Sequence, residues 1–259
     1  MSYALPYGNG HGTLVIAAHG TRSAAGLRTL SRLAAAVRNL REGHRVELAY
    51  LEISEPLLAD VLPGLPGPVT VVPLLLAGGY HVHVDLPGVI AASRPDATVA
   101  PPLGPHQLLT SALVRRLAGA GLRATDAVVL GAAGSSDPAA LAAVRAAARL
   151  LAVRLSRPVT AAFAAGGRPT VREALDRMRH GPAPRVVLAS YLLAPGFFHD
   201  RLAACGADAV TDPIGADPDL AALVWARHDQ ASGSSRNSLT ISSAPASREG
   251  PASAPTNIS

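Results

Sequence analysis

The chain states one pattern twice, and that repetition limits the folds open to it more than any other feature. "AVVLGAAGSSDPAALAAVRAAARLL" repeats the apolar run, glycine turn and helical periodicity of "LVIAAHGTRSAAGLRTLSRLAAAV". "PVTAAFAAGGRPTVREALDRM" echoes "RVELAYLEISEPLLADVLPGL", with Tyr50 opposite Phe163 and Pro56 opposite Pro169. "PRVVLASYLLAPGFFHDRL" echoes "PVTVVPLLLAGGYHVHVDL", with Gly79 over Gly196. The offsets are 113 for the prolines, 114 for Gly20 and Gly134, and 117 for the last glycine pair. Three motifs at nearly constant offset predict two tandem copies of one unit.

Within the first copy, short β-branched runs alternate with helical spacing. Thr13–Ala18 reads as a buried strand, followed by a helix with Leu27, Leu30, Leu33 and Val37 on one stripe. Arg45–Ile53 reads as the next strand and "EPLLADVLPGL" as a helix with Pro56 near its first turn. "VTVVPLLLA" is a third strand, "DLPGVIAAS" opens a helix, "TVAPPL" is a short fourth strand, and "QLLTSALVRRLAGAGL" closes the unit as a helix. Strand–helix alternation implies right-handed crossovers and a mainly parallel sheet covered on both faces. The expected fold is α/β, with two tandem halves over residues 13–124 and 125–230, each a mainly parallel sheet with helices on both faces. From 231 to 259 the chain is rich in Ser, Pro and Ala without periodicity, and reads as a disordered tail.

At 259 residues and 49% hydrophobic composition the chain can bury a large core, but with 3% aromatics it must build it from Ala, Val and Leu. No apolar stretch reaches the roughly 18–20 residues of a membrane span. The start "MSYALPYGNGHGT" lacks the basic and apolar regions of a signal peptide. A single cysteine, Cys205, excludes an internal disulfide and fits a reducing cytoplasm. The formal charge is +5 and all 23 basic residues are arginine. They are scattered without a basic run or interleaved aromatics, which argues against a nucleic-acid partner. Either composition bias or an anionic small-molecule substrate, gripped by guanidinium groups, accounts for them.

Chemistry should break the symmetry that packing preserves. His19 in "AAHGTRS" corresponds to Ala133, Glu52 in "AYLEISEP" to Ala165, and His81 in "GGYHV" to Phe198. All three polar residues lie at or beyond the carboxyl ends of expected strands, where open α/β sheets bind ligands. The imidazoles could bind a divalent metal, transfer protons, or do neither; Glu52 could accept protons or orient an imidazole. His83 has no place in the duplicated frame, and either contacts substrate or is an exposed histidine. His199 falls one position out of register with His81. "GNGHG" precedes a strand and is no dinucleotide fingerprint. A chain without lysine has no P-loop lysine, so ATP-driven chemistry is not expected. "GAAGSSD" either holds an anion on its backbone amides or is a tight turn capped by Ser135, Ser136 or Asp137.

"VIAAHGTRSAAG", "AYLEISEPLLADVL" and "VVPLLLAGGYHVHVDLP", in this order and spacing, resemble the sirohydrochlorin chelatases, the ATP-independent class II chelatases. The resemblance covers roughly residues 13 to 230. It implies insertion of Fe2+ or Co2+ into sirohydrochlorin on the way to sirohaem or cobalamin, with no cofactor beyond that substrate metal. It also implies two flavodoxin-like halves with a macrocycle cleft between them, formed within one chain that is a monomer or a homodimer. The metal-binding and catalytic histidines carry over to His19 and His81, and the catalytic carboxylate to Glu52. His83 departs from the family pattern and adds a third imidazole near the substrate. The many carboxylates of sirohydrochlorin give Arg22 and Arg168, beside the equivalent turns of the two halves, a role in substrate binding. The rival reading is a non-catalytic metal or tetrapyrrole carrier using the same histidines.

Overall fold

The computed structural model describes residues 12–78 and 85–241. The first half contains β1 (Thr13–Ala18), α1 (Ala24–Leu40), β2 (Val46–Tyr50), α2 (Leu58–Val61), β3 (Val69–Pro73), α3 (Leu86–Ser93), β4 (Thr98–Val99) and α4 (Gln107–Gly119). The second contains β5 (Ala127–Ala132), α5 (Pro138–Leu155), β6 (Val159–Phe163), α6 (Val171–Arg179), β7 (Val186–Ser190), α7 (Phe197–Ala203), β8 (Ala209–Val210) and α8 (Pro218–Ile241). The two sheets have the same order, β2-β1-β3-β4 and β6-β5-β7-β8. Every pairing is parallel. The expected α/β architecture of two flavodoxin-like halves is the one observed.

Residues along a strand alternate faces, and β1 shows what each face meets. Leu14, Ile16 and Ala18 enter a core that also holds Val128, Leu130 and Ala132 of β5. Val15 and Ala17 point to a separate cluster with Leu58, Leu62 and Leu86 under α2 and α3. Val129 of β5 likewise faces an outer cluster under α6 and α7, with Leu175 and Leu202. The sheets therefore share one inner layer of helices and each carries its own outer layer.

That inner layer is exchanged between the halves. Helix α4, which follows β4, packs on α5 and β7, while α8, which follows β8, packs on α1, β3 and β4. Trp225 of α8 is buried and donates Nε1–H to the Val37 carbonyl of α1 at 2.9 Å. The Arg41 guanidinium stacks over the Trp225 ring and forms a two-pronged ion pair with Asp229, at 2.7 and 2.5 Å. Arg115 of α4 holds Asp217 and Asp219 at the start of α8.

Three differences from the sequence reading have physical causes. β2 stops at Tyr50 rather than Ile53, because the chain turns there and Ile53 takes a left-handed φ of 68°. The helix expected over "EPLLADVLPGL" shrinks to four residues and a 3₁₀ turn at Leu62–Gly64; Pro63 has no N–H and its ring crowds the preceding turn. Where a disordered tail is expected from 231, the described residues to Ile241 continue α8. Ala231 is buried, and Ser232 Oγ lies 3.2 Å from Thr70 Oγ1 of β3. A helix already docked through Leu220, Leu223 and Val224 extends at little cost, because its nucleus is formed. Residues 242–259 lie outside those described.

Candidate active site

His19 directly follows β1 and Glu52 follows β2 by one residue. The parallel ladder between these strands pairs Ala18 with Tyr50 and continues beyond their ends, with Leu51 N–H donating to Ala18 O (2.8 Å) and Glu52 N–H to His19 O (3.1 Å). Such close approach requires glycine at the turn. Gly20 has φ +106°, and a Cβ there would sit 1.9 Å from the Glu52 carbonyl oxygen. The Ser54 hydroxyl accepts from Thr21 N–H at 3.0 Å and lies 3.1 Å from Thr21 O, lacing the second loop to the first. The result is His19 Nε2 at 3.2 Å from Glu52 Oε1, with the side chains 37% and 57% exposed. An imidazole and a carboxylate at this separation can share a proton or face one cation together, and their exposure leaves a path for protons to water.

The second half repeats this scaffold with alanine in place of both polar residues. Ala165 N–H donates to Ala133 O at 2.8 Å, as Glu52 does to His19, and Gly134 has φ +100°. The correspondence of His19 with Ala133 and of Glu52 with Ala165 thus holds in backbone geometry. Asp137 caps α5 by accepting from Ala139 N–H, with Ser135 Oγ accepting from Asp137 N–H, so "GAAGSSD" contains the capped turn.

Two cavities meet at His19. The larger, about 500 Å³, lies between Leu74–Gly78 after β3, the turn at Ala132–Ser136 after β5, and Tyr191 after β7. The other, about 400 Å³, runs from His19 past Arg22 and Ile53 to Pro195–His199. His19 and Phe198 line both. The cleft thus opens at the carboxyl ends of both sheets, where open α/β sheets place ligands. Beside it, α1 approaches the second half so closely at Gly26 that a Cβ would stand 2.7 Å from the Pro195 carbonyl oxygen. Tyr191 crosses between the halves, its hydroxyl donating to Leu76 O at 3.0 Å, and burial raises the phenol above its ordinary pKa.

The structure brings His19 and Arg22 to this cleft, while Glu52 lines neither cavity and stands beside it through its contact with His19; Arg22 is exposed and makes no ion pair among the described residues. His81 and His83 lie outside the described residues. Arg168 lines neither cavity, and its guanidinium pairs with Glu173 in the first turn of α6. That carboxylate is held there by the capping box with Thr170. Among the described residues no group of three His, Cys, Asp or Glu side chains gathers to hold a metal. His106 caps α4 through Nδ1, which accepts from Leu108 N–H. Its pKa is lowered by burial and by nearby Arg227. Sequence reasoning overlooked Phe197, Phe198 and Ile53 at the cleft. Its available signal was the adjacent pair in "PGFFHD", in a chain with three phenylalanines.

Fold and cleft together define a duplicated α/β protein with a cleft between its halves. The chain belongs to the CbiX family, the sirohydrochlorin chelatases, whose model matches residues 13–120 and again 127–231. A sirohydrochlorin cobaltochelatase of Methanosarcina acetivorans is 25% identical over 115 residues, spanning 38% of this chain and 88% of its own. SirB from Bacillus subtilis, solved with Fe3+, superposes with a TM-score of 0.72 at 20% identity, covering 87% of this chain and 98% of that one. The sirohydrochlorin chelatase SirB of Bacillus subtilis subspecies spizizenii, in complex with cobalt, gives the same score and identity, covering 87% and 97%. No helix among the described residues is long and apolar enough to cross a membrane.

Proposed function

We propose that this chain inserts Fe2+ or Co2+ into sirohydrochlorin, for sirohaem or cobalamin synthesis. The observation that carries the reading is His19, which lines both cavities between the halves of a CbiX-family chain and has the Glu52 carboxylate 3.2 Å from its imidazole. Metallation replaces two pyrrole N–H protons by one divalent ion, so the site must present a metal and remove two protons. His19 holds the incoming ion or takes a pyrrole proton, and Glu52 passes protons to solvent along its exposed side. His81 supplies the second imidazole in this reading and His83 a contact to the substrate. Arg22 grips peripheral carboxylates at the cleft edge. Arg168, committed to Glu173, is not given that role.

The test is an anaerobic reaction of the purified chain with sirohydrochlorin and each metal, followed by the absorption change on metallation. Turnover above the spontaneous rate, lowered about 10²-fold in His19→Ala, supports the enzyme. Binding of metal or macrocycle without catalysed insertion would identify a carrier and overturn it.

A further inference from the structure

The chain has three phenylalanines. Phe163 is buried in the core, whereas Phe197 and Phe198, adjacent at the start of α7, are 67% and 37% exposed. Ile53, on the loop after β2, is 51% exposed and lines the same cavity as both phenylalanines. Large apolar side chains from both halves thus stand in water around one opening, next to His19. Exposed apolar surface gathered in this way marks a binding surface.

We infer that Phe198, braced by Phe197 and opposed by Ile53, is the platform on which the flat face of the macrocycle rests. The inference rests on the reading of the site as a sirohydrochlorin site. Phe197 meets Phe198 edge to face, with centroids 5.3 Å apart and planes at 72°. The Arg201 guanidinium sits 5.7 Å from the Phe197 ring centre. Phe197 thus contacts both the Phe198 ring and the Arg201 guanidinium, and these contacts steady the pair. Phe198 shares both cavities with His19, so a flat ligand spanning them contacts phenylalanine and imidazole together.

The chemistry of a tetrapyrrole divides in the same way. Its face is apolar and π-rich and prefers aromatic contact, while its carboxylates lie on the rim and suit Arg22. In the duplicated frame Phe198 stands opposite His81. One copy of the motif retains a donor for the metal; the other presents an apolar surface to the ring.

The test separates ring binding from metal insertion. Metal-free sirohydrochlorin is titrated anaerobically into the full chain, with binding read from the ligand's absorption, and turnover is measured on the same preparations. Phe198→Ala should weaken ring binding about tenfold, the scale of one lost aromatic stacking contact, and raise KM in parallel, with a smaller change in kcat. Phe198→Trp should restore binding, and Phe198→Leu should fall between. Since the side chain is partly exposed, melting temperatures should stay near that of the unsubstituted chain, which separates lost binding from lost folding. If Phe198→Ala binds the ring as tightly as the unsubstituted chain while His19→Ala loses turnover, the platform is overturned and the chelatase reading stands. If the unsubstituted chain neither binds nor metallates sirohydrochlorin, that reading fails and the platform fails with it.

Discussion

Replacing Gly20 by alanine should separate the two groups on which the proposed chemistry depends. The new Cβ would lie 1.9 Å from the Glu52 carbonyl oxygen, where an unstrained contact needs about 3.4 Å. The loops after β1 and β2 must therefore part by more than an ångström. The residue must also hold φ +106° with a side chain, at a cost of about 1–2 kcal/mol. Parting the loops strains the Glu52 N–H to His19 O bond, for about a further 1 kcal/mol. Total destabilisation should be about 2–3 kcal/mol, readable by urea denaturation. Displacing Glu52 from His19 by this distance should lower kcat about 10²-fold, as ångström-scale misplacement of a catalytic group does. The second half supplies a comparison. Gly134→Ala would place a Cβ 1.4 Å from Ala165 O, a harsher clash, but between positions 133 and 165, which are both alanine. It should destabilise at least as much and act mainly on KM, since Gly134 borders the larger cavity. Measurements belong well below both melting temperatures. A Gly20→Ala chain with normal kcat, or a Gly134→Ala chain with an equal loss of kcat, would refute the reasoning.

Arg22→Ala should raise KM for sirohydrochlorin and flatten its increase with ionic strength, whereas Arg168→Ala, paired away from the cleft, should change neither; steady-state kinetics across salt concentrations decide. Asp229 has its pKa lowered to about 2, chiefly by hydrogen bonds from Arg41. A depressed carboxyl stabilises the fold above its ordinary pKa and loses that contribution as pH falls from about 4 to about 2. Because the pair is half exposed, Asp229→Asn should cost no more than about 1 kcal/mol at neutral pH. The variant should also show a shallower acid loss of stability in that window, followed by Trp225 fluorescence. Ending the chain at Asp217 removes α8 and uncovers α1 and β3; the product should be insoluble or lack a cooperative melting transition.

Much of this molecule was readable because its strands are short, apolar and repeated. β1 was read to the residue: Thr13–Ala18 is buried on both faces, and its boundary is a change from apolar residues to "HG". Comparing the two copies singled out His19 and Glu52, each replaced by alanine in its duplicate, but that their side chains meet is set by the ladder between β1 and β2. What stayed hidden depends on contacts distant in sequence. The stripe of α4 shows that it needs an apolar partner, but not that the partner is β7 rather than its own sheet. The "ASGSS" stretch lacks helical propensity, yet it is helical because the turns before it are already docked. Arg168 sits at the expected turn, but Glu173, placed by a capping box, claims its charge. Phe197 and Phe198 have no periodic meaning; only their exposure beside a cavity gives them one.

The exchange of α4 and α8 has a mechanical consequence. Two lobes joined by a simple linker can swing apart about it, as clamshell proteins do. Here each lobe carries a beam driven into the other, and Leu113 and Leu117 of α4 and Leu223 and Trp225 of α8 belong to a single packed layer. Rotating one half away from the other would shear that layer and tear Trp225 from Val37, a deformation on the scale of unfolding. The width of the cleft is therefore built in when the chain folds, and any guest must fit a gap that the two halves do not widen by swinging apart.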